Sequence, residues 1–183
     1  KAFFLFAMFS IHKFFHEMAH AFAARRCGGE VHEMGIMFLV FIPTPYVDAS
    51  SAWAFPSRWQ RIFVGAGGMV VELFLAGLAA FVYIATKPGV PVFGLPMREL
   101  MTDAIMIAGF TTVIFNANPL LRYDGYYMLS DWLEIPNLQQ KSKDYLLGLI
   151  KRHVFRVKAN QPLPPPWQGV ELAAYGVVAT VYR

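Results

Sequence analysis

The sequence predicts an all-α integral membrane protein, a bundle of about four transmembrane helices with a short strand-like membrane-associated segment between the first two. Of the 183 residues, 56% are hydrophobic and 15% are charged, whereas about 25% of the residues are charged in ordinary soluble domains. Apolar runs recur along the chain, and a transmembrane helix needs about 20 mostly apolar residues. These observations argue against a soluble enzyme and against a disordered chain.

Cysteine content and charge narrow the function classes further. Cys27 is the single cysteine, so the fold is not a secreted scaffold held together by disulfides. The formal net charge is +4, with basic residues scattered among apolar runs, which indicates membrane orientation and not nucleic-acid binding. We expect a piece of a longer polypeptide, because the sequence begins at Lys1 without an initiator Met and ends at Arg183 inside an apolar run.

Four segments are candidates for membrane spans, at about 1–24, 61–85, 103–121 and 169–183. The clearest lies within Ile62 to Ala85, which holds one charge, Glu72, and many small residues that let neighbouring helices approach closely. Ala104 to Leu121 has 18 residues without a charge, and Leu172 to Tyr182 is an apolar run at the end of the sequence. We therefore treat 1–183 as a single, partial membrane-embedded domain.

The first candidate span is polar on one side only. His12, His16 and His20 recur at every fourth position and therefore share one helix face. Phenylalanine and methionine side chains cover much of the remaining surface. Because a polar stripe on a helix in lipid must face protein or a wet cavity, we expect this face to point into the bundle.

Lysine and arginine residues predict the orientation of the spans. If the spans alternate, the stretches 25–61 and 122–167 share one side and carry eleven Lys or Arg residues, whereas 86–103 carries two. The positive-inside rule places the richer side in the cytoplasm. All four tryptophans fall at or near span ends on that side, as expected for an interfacial aromatic belt. The segment 134–167 is then a polar cytoplasmic loop.

Between the first two spans, Ile36 to Ile42 is a run of seven apolar residues. Gly35 precedes it, and Pro43-Thr44-Pro45 follows it. The run is too short to span a membrane as a helix. An extended strand that dips into the membrane interface, an amphipathic loop and a packed core strand all remain open.

The run His16-Glu17-Met18-Ala19-His20 is an H-E-x-x-H motif on a predicted helix. Residues at i and i+4 lie on one helix face, so both imidazoles can reach one metal ion, while the glutamate between them can handle a water molecule. Chance would give about 0.005 such matches in a chain of this composition. The alternative, two core histidines with a solvated glutamate, needs a solvated face that so apolar a segment does not offer.

A catalytic zinc site takes three protein ligands and keeps one position open for water, so a third ligand must come from elsewhere in the chain. Asp124 is the best candidate, because it follows the third span and that span runs in the same direction as the first. The three groups can therefore share a depth in the membrane. A turn role for Asp124-Gly125 remains open. Four other side chains compete for the third position: Glu72, His12, Glu33 and His32.

These motifs resemble those of the site-2 protease family of intramembrane zinc metalloproteases. Members combine H-E-x-x-H with a later N-x-x-P and an Asp-Gly, and this chain has Asn116-x-x-Pro119 and Asp124-Gly125. Pro45-Tyr46-Val47-Asp48 and Arg122-Tyr123-Asp124-Gly125-Tyr126-Tyr127 look like the bacterial peptide zinc metalloprotease branch. Proteins of that branch often carry a biotinyl-lipoyl or membrane-fusion-like module, which we expect in the full-length chain.

The resemblance implies a role for each site residue. His16, His20 and Asp124 would bind zinc, Glu17 would be the catalytic base, and Asn116 would help to hold the substrate or the developing oxyanion. The activity would be zinc-dependent hydrolysis of a peptide or membrane-protein substrate near the cytoplasmic face of a bacterial inner membrane. Imidazole and carboxylate ligands also accept other divalent ions.

The middle span departs from the family pattern. Many members have a Gly-Pro and an Asn there, whereas this chain reads Gly67-Gly68-Met69-Val70-Val71-Glu72, which bears on substrate positioning. A functional role for Glu72 and a simple buried partner remain open. His12 lies about 6 Å along the helix from His16, from a rise of about 1.5 Å per residue, and either lines a cavity or serves as an alternative ligand.

Two other functions remain open at this point. The protein could be a membrane component of a peptide export or maturation system in which the zinc ion is structural. It could also be a soluble metalloprotease with an unusually apolar core, which would purify without detergent.

Overall fold

The computed structural model describes residues 1–39, 42–92, 94–153 and 164–182. The chain is mostly helical and divides into two compact units, Lys1–Trp132 and Leu133–Arg183. The helices of the described part are α1 (Ala2–Arg26), α2 (Arg58–Ala85), α3 (Met97–Phe110), α4 (Asp124–Trp132), α5 (Leu138–His153) and α6 (Pro166–Tyr182). A short 3-10 helix, Ser50–Ala54, precedes α2, and a π-helical segment, Thr111–Asn116, continues α3.

Helix α1 has its polar side inside and its apolar side outside. His12, His16 and His20 are buried, whereas Phe3 and Phe22 are 75% and 68% exposed. This arrangement is the reverse of a soluble amphipathic helix, and it confirms that the histidine face points into the protein. The exposed phenylalanines suit contact with lipid.

Helix α2 coincides with the second predicted span, 61–85. Within the described part of the chain, it is the one helix that is both long and apolar enough to cross a membrane. Charged side chains interrupt α1, α3 ends as an α-helix after 14 residues, and α6 has 17 residues. Within the described residues, length and composition therefore give one candidate span. The bundle of four spans stays a prediction.

The third predicted span, 103–121, differs in its bounds. The α-helix begins earlier, at Met97, and changes into the π-helical segment at Thr111. The Thr111 hydroxyl donates to the carbonyl oxygens of Ile107 and Ala108, and such bonds back to the preceding turn loosen a helix locally. The N–H of Ala117 then donates across five residues to the carbonyl of Thr112 at 2.7 Å, which is the hydrogen bond of a π-helix.

The predicted strand-like segment does contain strands, which belong to an antiparallel hairpin, and its association with a membrane stays a prediction. Strand β1 (Met34–Leu39) pairs with β2 (Ile42–Val47), so the apolar run 36–42 is divided between two strands, and residues 40 and 41 lie outside the described residues. Pro43-Thr44-Pro45, which follows the apolar run in the sequence, does not end the extended structure. These residues belong to β2, because a proline is tolerated where its nitrogen points away from the neighbouring strand. The all-α prediction is corrected accordingly.

A second, smaller hairpin joins α2 to α3 and was not predicted. Strand β3 (Pro91–Val92) pairs with β4 (Leu95–Pro96), and the turn includes Gly94 at a φ of 78°, a conformation that favours glycine. Two-residue strands carry too little hydrophobic alternation to be read from a sequence.

The second unit contains α5 and α6, which pack closely. A Cβ atom added at Gly169 would lie 2.7 Å from the Tyr145 hydroxyl, and one added at Gly176 would lie 2.6 Å from Leu146. Helix α6, Pro166–Tyr182, overlaps the predicted final span, 169–183, which stays a prediction as a membrane span. Helix α5, in contrast, occupies much of the segment 134–167 that was expected to be a polar loop, while residues 154–163 lie outside the described residues.

Candidate metal centre

Three donor atoms from two distant parts of the chain meet in the first unit. Nε2 of His16 lies 3.1 Å from Nε2 of His20 and 3.1 Å from Oδ2 of Asp124. The third side of this triangle, from His20 Nε2 to Asp124 Oδ2, measures 3.5 Å. The structure therefore brings the three predicted ligands together, although His16 and Asp124 lie 108 residues apart in the sequence.

The size and chemistry of this triangle fit a zinc ion. Atoms bound at about 2.0–2.1 Å to a tetrahedral zinc ion lie about 3.3–3.4 Å from one another, close to the three distances above. Oδ2 of Asp124 is buried without a hydrogen-bond partner, and a buried carboxylate oxygen needs a donor or a cation. Two imidazoles and one carboxylate are a common ligand set of catalytic zinc sites.

Both histidines point Nε2 at the centre because helix α2 holds Nδ1. The Nδ1–H of His20 donates to the carbonyl oxygen of Val64 at 2.8 Å. Nδ1 of His16 lies 3.1 Å from Oε1 of Glu72. Such bonds fix the tautomer and the ring orientation of a metal-binding histidine.

Two glycines of α2 make this approach possible. A Cβ atom added at Gly68 would lie 2.5 Å from both ring nitrogens of His16, and one added at Gly67 would lie 3.1 Å from the carbonyl oxygen of Ala19. The same glycine-rich stretch departs from the family pattern in the sequence. In the structure it provides the space in which the His16 ring lies.

Asp124 is the first residue of α4, and its neighbour explains how it reaches the centre. A Cβ atom added at Gly125 would lie 2.5 Å from the carbonyl oxygen of Ala117 and 2.9 Å from that of Asn116. Only glycine therefore lets the start of α4 pass so close to the end of the π-helical segment. Asp124-Gly125 is thus a close backbone approach, and not only a turn pair.

Glu17 lies beside the helix face that the two histidines share, about 100° around α1 from His16 and about 60° from His20. Its side chain is half-buried and forms part of the wall of a cavity of about 510 Å³ between α1 and the β1–β2 hairpin. The lining is otherwise largely apolar and includes Phe14, Met18, Ile36 and Tyr46. The predicted base therefore faces a space large enough for several side chains of a peptide.

Asn116 is buried, and its amide is already engaged. Nδ2 donates to Oε2 of Glu72 at 3.0 Å and lies 3.4 Å from Nδ1 of His16. These contacts lie behind His16, and the contact of Asn116 with the substrate stays a prediction. Two further polar side chains that contact Glu72, Lys13 and Thr112, were not predicted from the sequence. The available signal was a lysine in one apolar run and a threonine in another.

The four competing ligands do not join the triangle. Glu72 contacts the opposite ring nitrogen of His16, and the Nδ1–H of His12 donates to the carbonyl of Met8 at 2.8 Å. His32 is exposed and lies near Glu30, and Glu33 is also exposed. Among the described residues, the group of three or more potential ligands consists of His16, His20 and Asp124.

The hairpin beside the cavity ends at an acidic residue. Asp48 follows β2 and accepts a hydrogen bond from the backbone N–H of Ser50 at 2.9 Å. Hydrogen bonds from the Ser50 side chain and backbone lower the pKa of Asp48. This carboxylate thus holds the turn between β2 and the 3-10 helix and takes no part in the metal centre.

Comparison with known proteins gives one match. Residues 3–102, which are 100 of the 183 residues, match the family described as Peptidase family M50. Neither a curated protein nor a solved structure matches the chain. The matched region includes the H-E-x-x-H motif of α1 and the buried carboxylate of α2. The chain therefore belongs to Peptidase family M50, the site-2 protease family.

Proposed function

We propose that this protein is a zinc-dependent intramembrane endopeptidase of a bacterial inner membrane, crossing the membrane several times. The observation that carries the proposal is the meeting of His16, His20 and Asp124, whose ligand atoms all lie within 4.8 Å of one another. The family match supplies the reaction class, peptide-bond hydrolysis. Its substrate is a peptide or a membrane-protein segment, cut near the cytoplasmic face.

The residues divide the chemistry between them. A zinc ion held by His16, His20 and Asp124 would act as a Lewis acid that activates water and polarises a carbonyl group. Glu17 follows His16 directly and faces the cavity, so its carboxylate can accept a proton from water and pass it to the leaving amine. Peptide hydrolysis needs both of these roles.

The β1–β2 hairpin supports an extended conformation of the bound substrate. Pro43 and Pro45 lie opposite Phe38 and Ile36, and neither proline can donate a hydrogen bond to β1. Both are therefore non-hydrogen-bonded pairs, in which the backbone N–H and C=O groups of each residue point away from the partner strand. The outer edge of β1 thus offers the N–H groups of Ile36 and Phe38, and a peptide could add to this edge as a further strand.

The exposed side chains support the location in a membrane. All four tryptophans are exposed, and phenylalanines are exposed along α1 and α2. These surfaces are far more apolar than the water-exposed surface of an ordinary soluble monomer. The uneven distribution of Lys and Arg supports the assignment of the richer side to the cytoplasm.

The alternative of a structural zinc ion in a non-catalytic export component has less support. Structural zinc sites are usually closed by four protein ligands. Within the described part of the chain, the cluster offers three. Three ligands with an open position are the arrangement of a catalytic site.

The experiment that tests the proposed function is the substitution Glu17→Gln in the detergent-purified protein. We expect bound zinc to remain near one ion per chain, because Glu17 is not a ligand. Cleavage of a pool of quenched-fluorescent apolar peptides should fall by about 10²- to 10⁴-fold, which is the usual contribution of a general base. Undiminished cleavage by Glu17→Gln would exclude the proposed role of Glu17, and a wild-type protein without zinc would exclude the proposed function.

A further inference from the structure

A carboxylate that binds no metal lies directly behind the centre. Glu72 is fully buried in the middle of α2, at 0% exposure. An ionised carboxylate in such a place is costly unless each oxygen is paired. The identity of its partners therefore indicates what Glu72 does.

Four donor groups from two elements surround the two oxygens of Glu72. Oε1 lies 3.1 Å from Nζ of Lys13 and 3.1 Å from Nδ1 of His16, both on α1. Oε2 accepts a hydrogen bond from Nδ2 of Asn116 at 3.0 Å and another from the hydroxyl of Thr112. The carboxylate thus joins α1 and the π-helical segment to α2, with both oxygens satisfied.

The protonation of His16 follows from these contacts. Nδ2 of Asn116 also lies 3.4 Å from Nδ1 of His16, but an amide NH₂ group can only donate. The acceptor for an Nδ1–H on His16 is therefore Oε1 of Glu72. With the proton on Nδ1, the lone pair of Nε2 faces Asp124 and is available to a metal ion.

The π-helical segment gives Glu72 its second pair of donors. Thr112 and Asn116 lie four residues apart and both reach Oε2, within the stretch closed by the bond from Ala117 to Thr112. Single π turns inside helices are frequent at functional sites. Here the π turn directs a hydroxyl and an amide at one carboxylate oxygen.

Lys13 supplies the balancing charge. It lies one helical turn before Glu17 on α1, and its side chain is 17% exposed. The ammonium group offsets the negative charge of Glu72, so the carboxylate can stay ionised in apolar surroundings.

We propose that Glu72 is a positioning residue for the metal centre, which orients the His16 ring and fixes the proton on Nδ1 so that Nε2 can bind the ion. The inference rests on the proposed function, since it assumes that His16 is a ligand. It assigns to Glu72 an action through His16 and no contact with substrate. Lys13, Thr112 and Asn116 hold Glu72 in place.

The test is zinc affinity, measured for Glu72→Gln by competition with a chromogenic chelator in detergent. Glutamine keeps the size of the side chain but removes the charge, and a hydrogen bond to a neutral acceptor is about half as strong. We expect the Kd for zinc to rise about 10- to 100-fold, as for the loss of other partners of metal-binding histidines. The matched control is Glu99→Gln, the same change at an exposed carboxylate, and its Kd should equal that of the wild type.

Because Glu72→Gln leaves Lys13 buried without its partner, a double variant keeps the test valid. Lys13→Met with Glu72→Gln removes both charges, so the bundle should fold even where the single variant does not. Its zinc affinity should stay at least about 10-fold below wild type, and the visible absorption bands of the cobalt-substituted protein should shift. Wild-type affinity in both variants, with only a lower melting temperature, would make Glu72 merely structural and overturn the inference. Absence of zinc from the wild type would instead refute the proposed function.

Discussion

The two faces of α1 are built in different ways. His16 and His20 are buried, and helix α2 holds both rings through Nδ1, with Gly68 directly beneath the His16 ring. Glu17, between them in sequence, faces a cavity lined by apolar side chains. The histidine face therefore fixes the positions of the metal ligands, whereas the side with Glu17 borders a cavity that can hold substrate. Substitutions on the first face should change metal binding, whereas substitutions around the second should change turnover or substrate affinity.

The largest effect expected on the first face comes from removal of a ligand. Asp124→Ala should lower the zinc content of the purified protein well below one ion per chain and abolish cleavage, because two imidazoles alone are an incomplete site. Glu17→Gln should lose cleavage alone. Metal analysis of both variants measures this difference. Asp103→Asn serves as the control, since Asp103 pairs with Lys1 away from the metal centre. Full zinc content in Asp124→Ala would contradict the assignment of Asp124 to the metal-binding face.

A smaller effect is expected where the first face touches α2. Gly68→Ala would place a methyl group within 2.5 Å of both nitrogens of the His16 ring, so the ring must move from its position against Asp124. We expect zinc affinity to fall by about 10-fold or more and the free energy of unfolding to fall by about 1–3 kcal/mol from overpacking.

Helix α2 offers its own control for this change. A Cβ atom added at Gly77 meets nothing within 4 Å, so Gly77→Ala should leave zinc affinity unchanged. Equal zinc affinities in the two alanine variants would show that the close approach of α2 does not position His16.

The smallest effect is expected at the outer edge of β1, the strand that contributes Ile36 to the cavity wall. Ile36→Pro removes an N–H that points outward and leaves the bonds to β2 in place. If substrates add to this edge, KM should rise by about 5- to 10-fold, the cost of about one hydrogen bond, with zinc content unchanged. Ile36→Ala separates the side chain from the backbone donor. A KM equal to that of Ile36→Ala would argue against strand addition.

The sequence was most informative where helical spacing and chemistry coincide. Three histidines at intervals of four predict a buried polar face, and the structure buries it. The order of the spans predicts that Asp124 lies at the depth of His16 and His20, and the three atoms do meet. Both predictions depend on local periodicity and on a simple alternation of direction.

Other features could not be predicted, because they depend on which side chains meet. A charge inside an apolar helix requires a partner, but the sequence does not say that Lys13 and Glu72 are partners. The π turn arises from hydroxyl contacts within one helix, and prolines that usually end strands lie inside β2. The polar composition of the segment that forms α5 predicts a loop, because the sequence does not show that its apolar residues pack on α6.

In the proposed topology, in which α1 and α2 both cross the membrane, the pair formed by Lys13 and Glu72 also bears on how the chain would be inserted during synthesis. A lysine at the centre of an inserting helix costs about 2.5–3.5 kcal/mol, and an acidic residue costs a similar amount. If each of the first two helices left the translocon alone, α1 would bear the free-energy cost of Lys13 and α2 that of Glu72. Lateral release of the two as a joined hairpin cancels both charges at once. With that topology, the ion pair would favour insertion of α1 and α2 together as one unit.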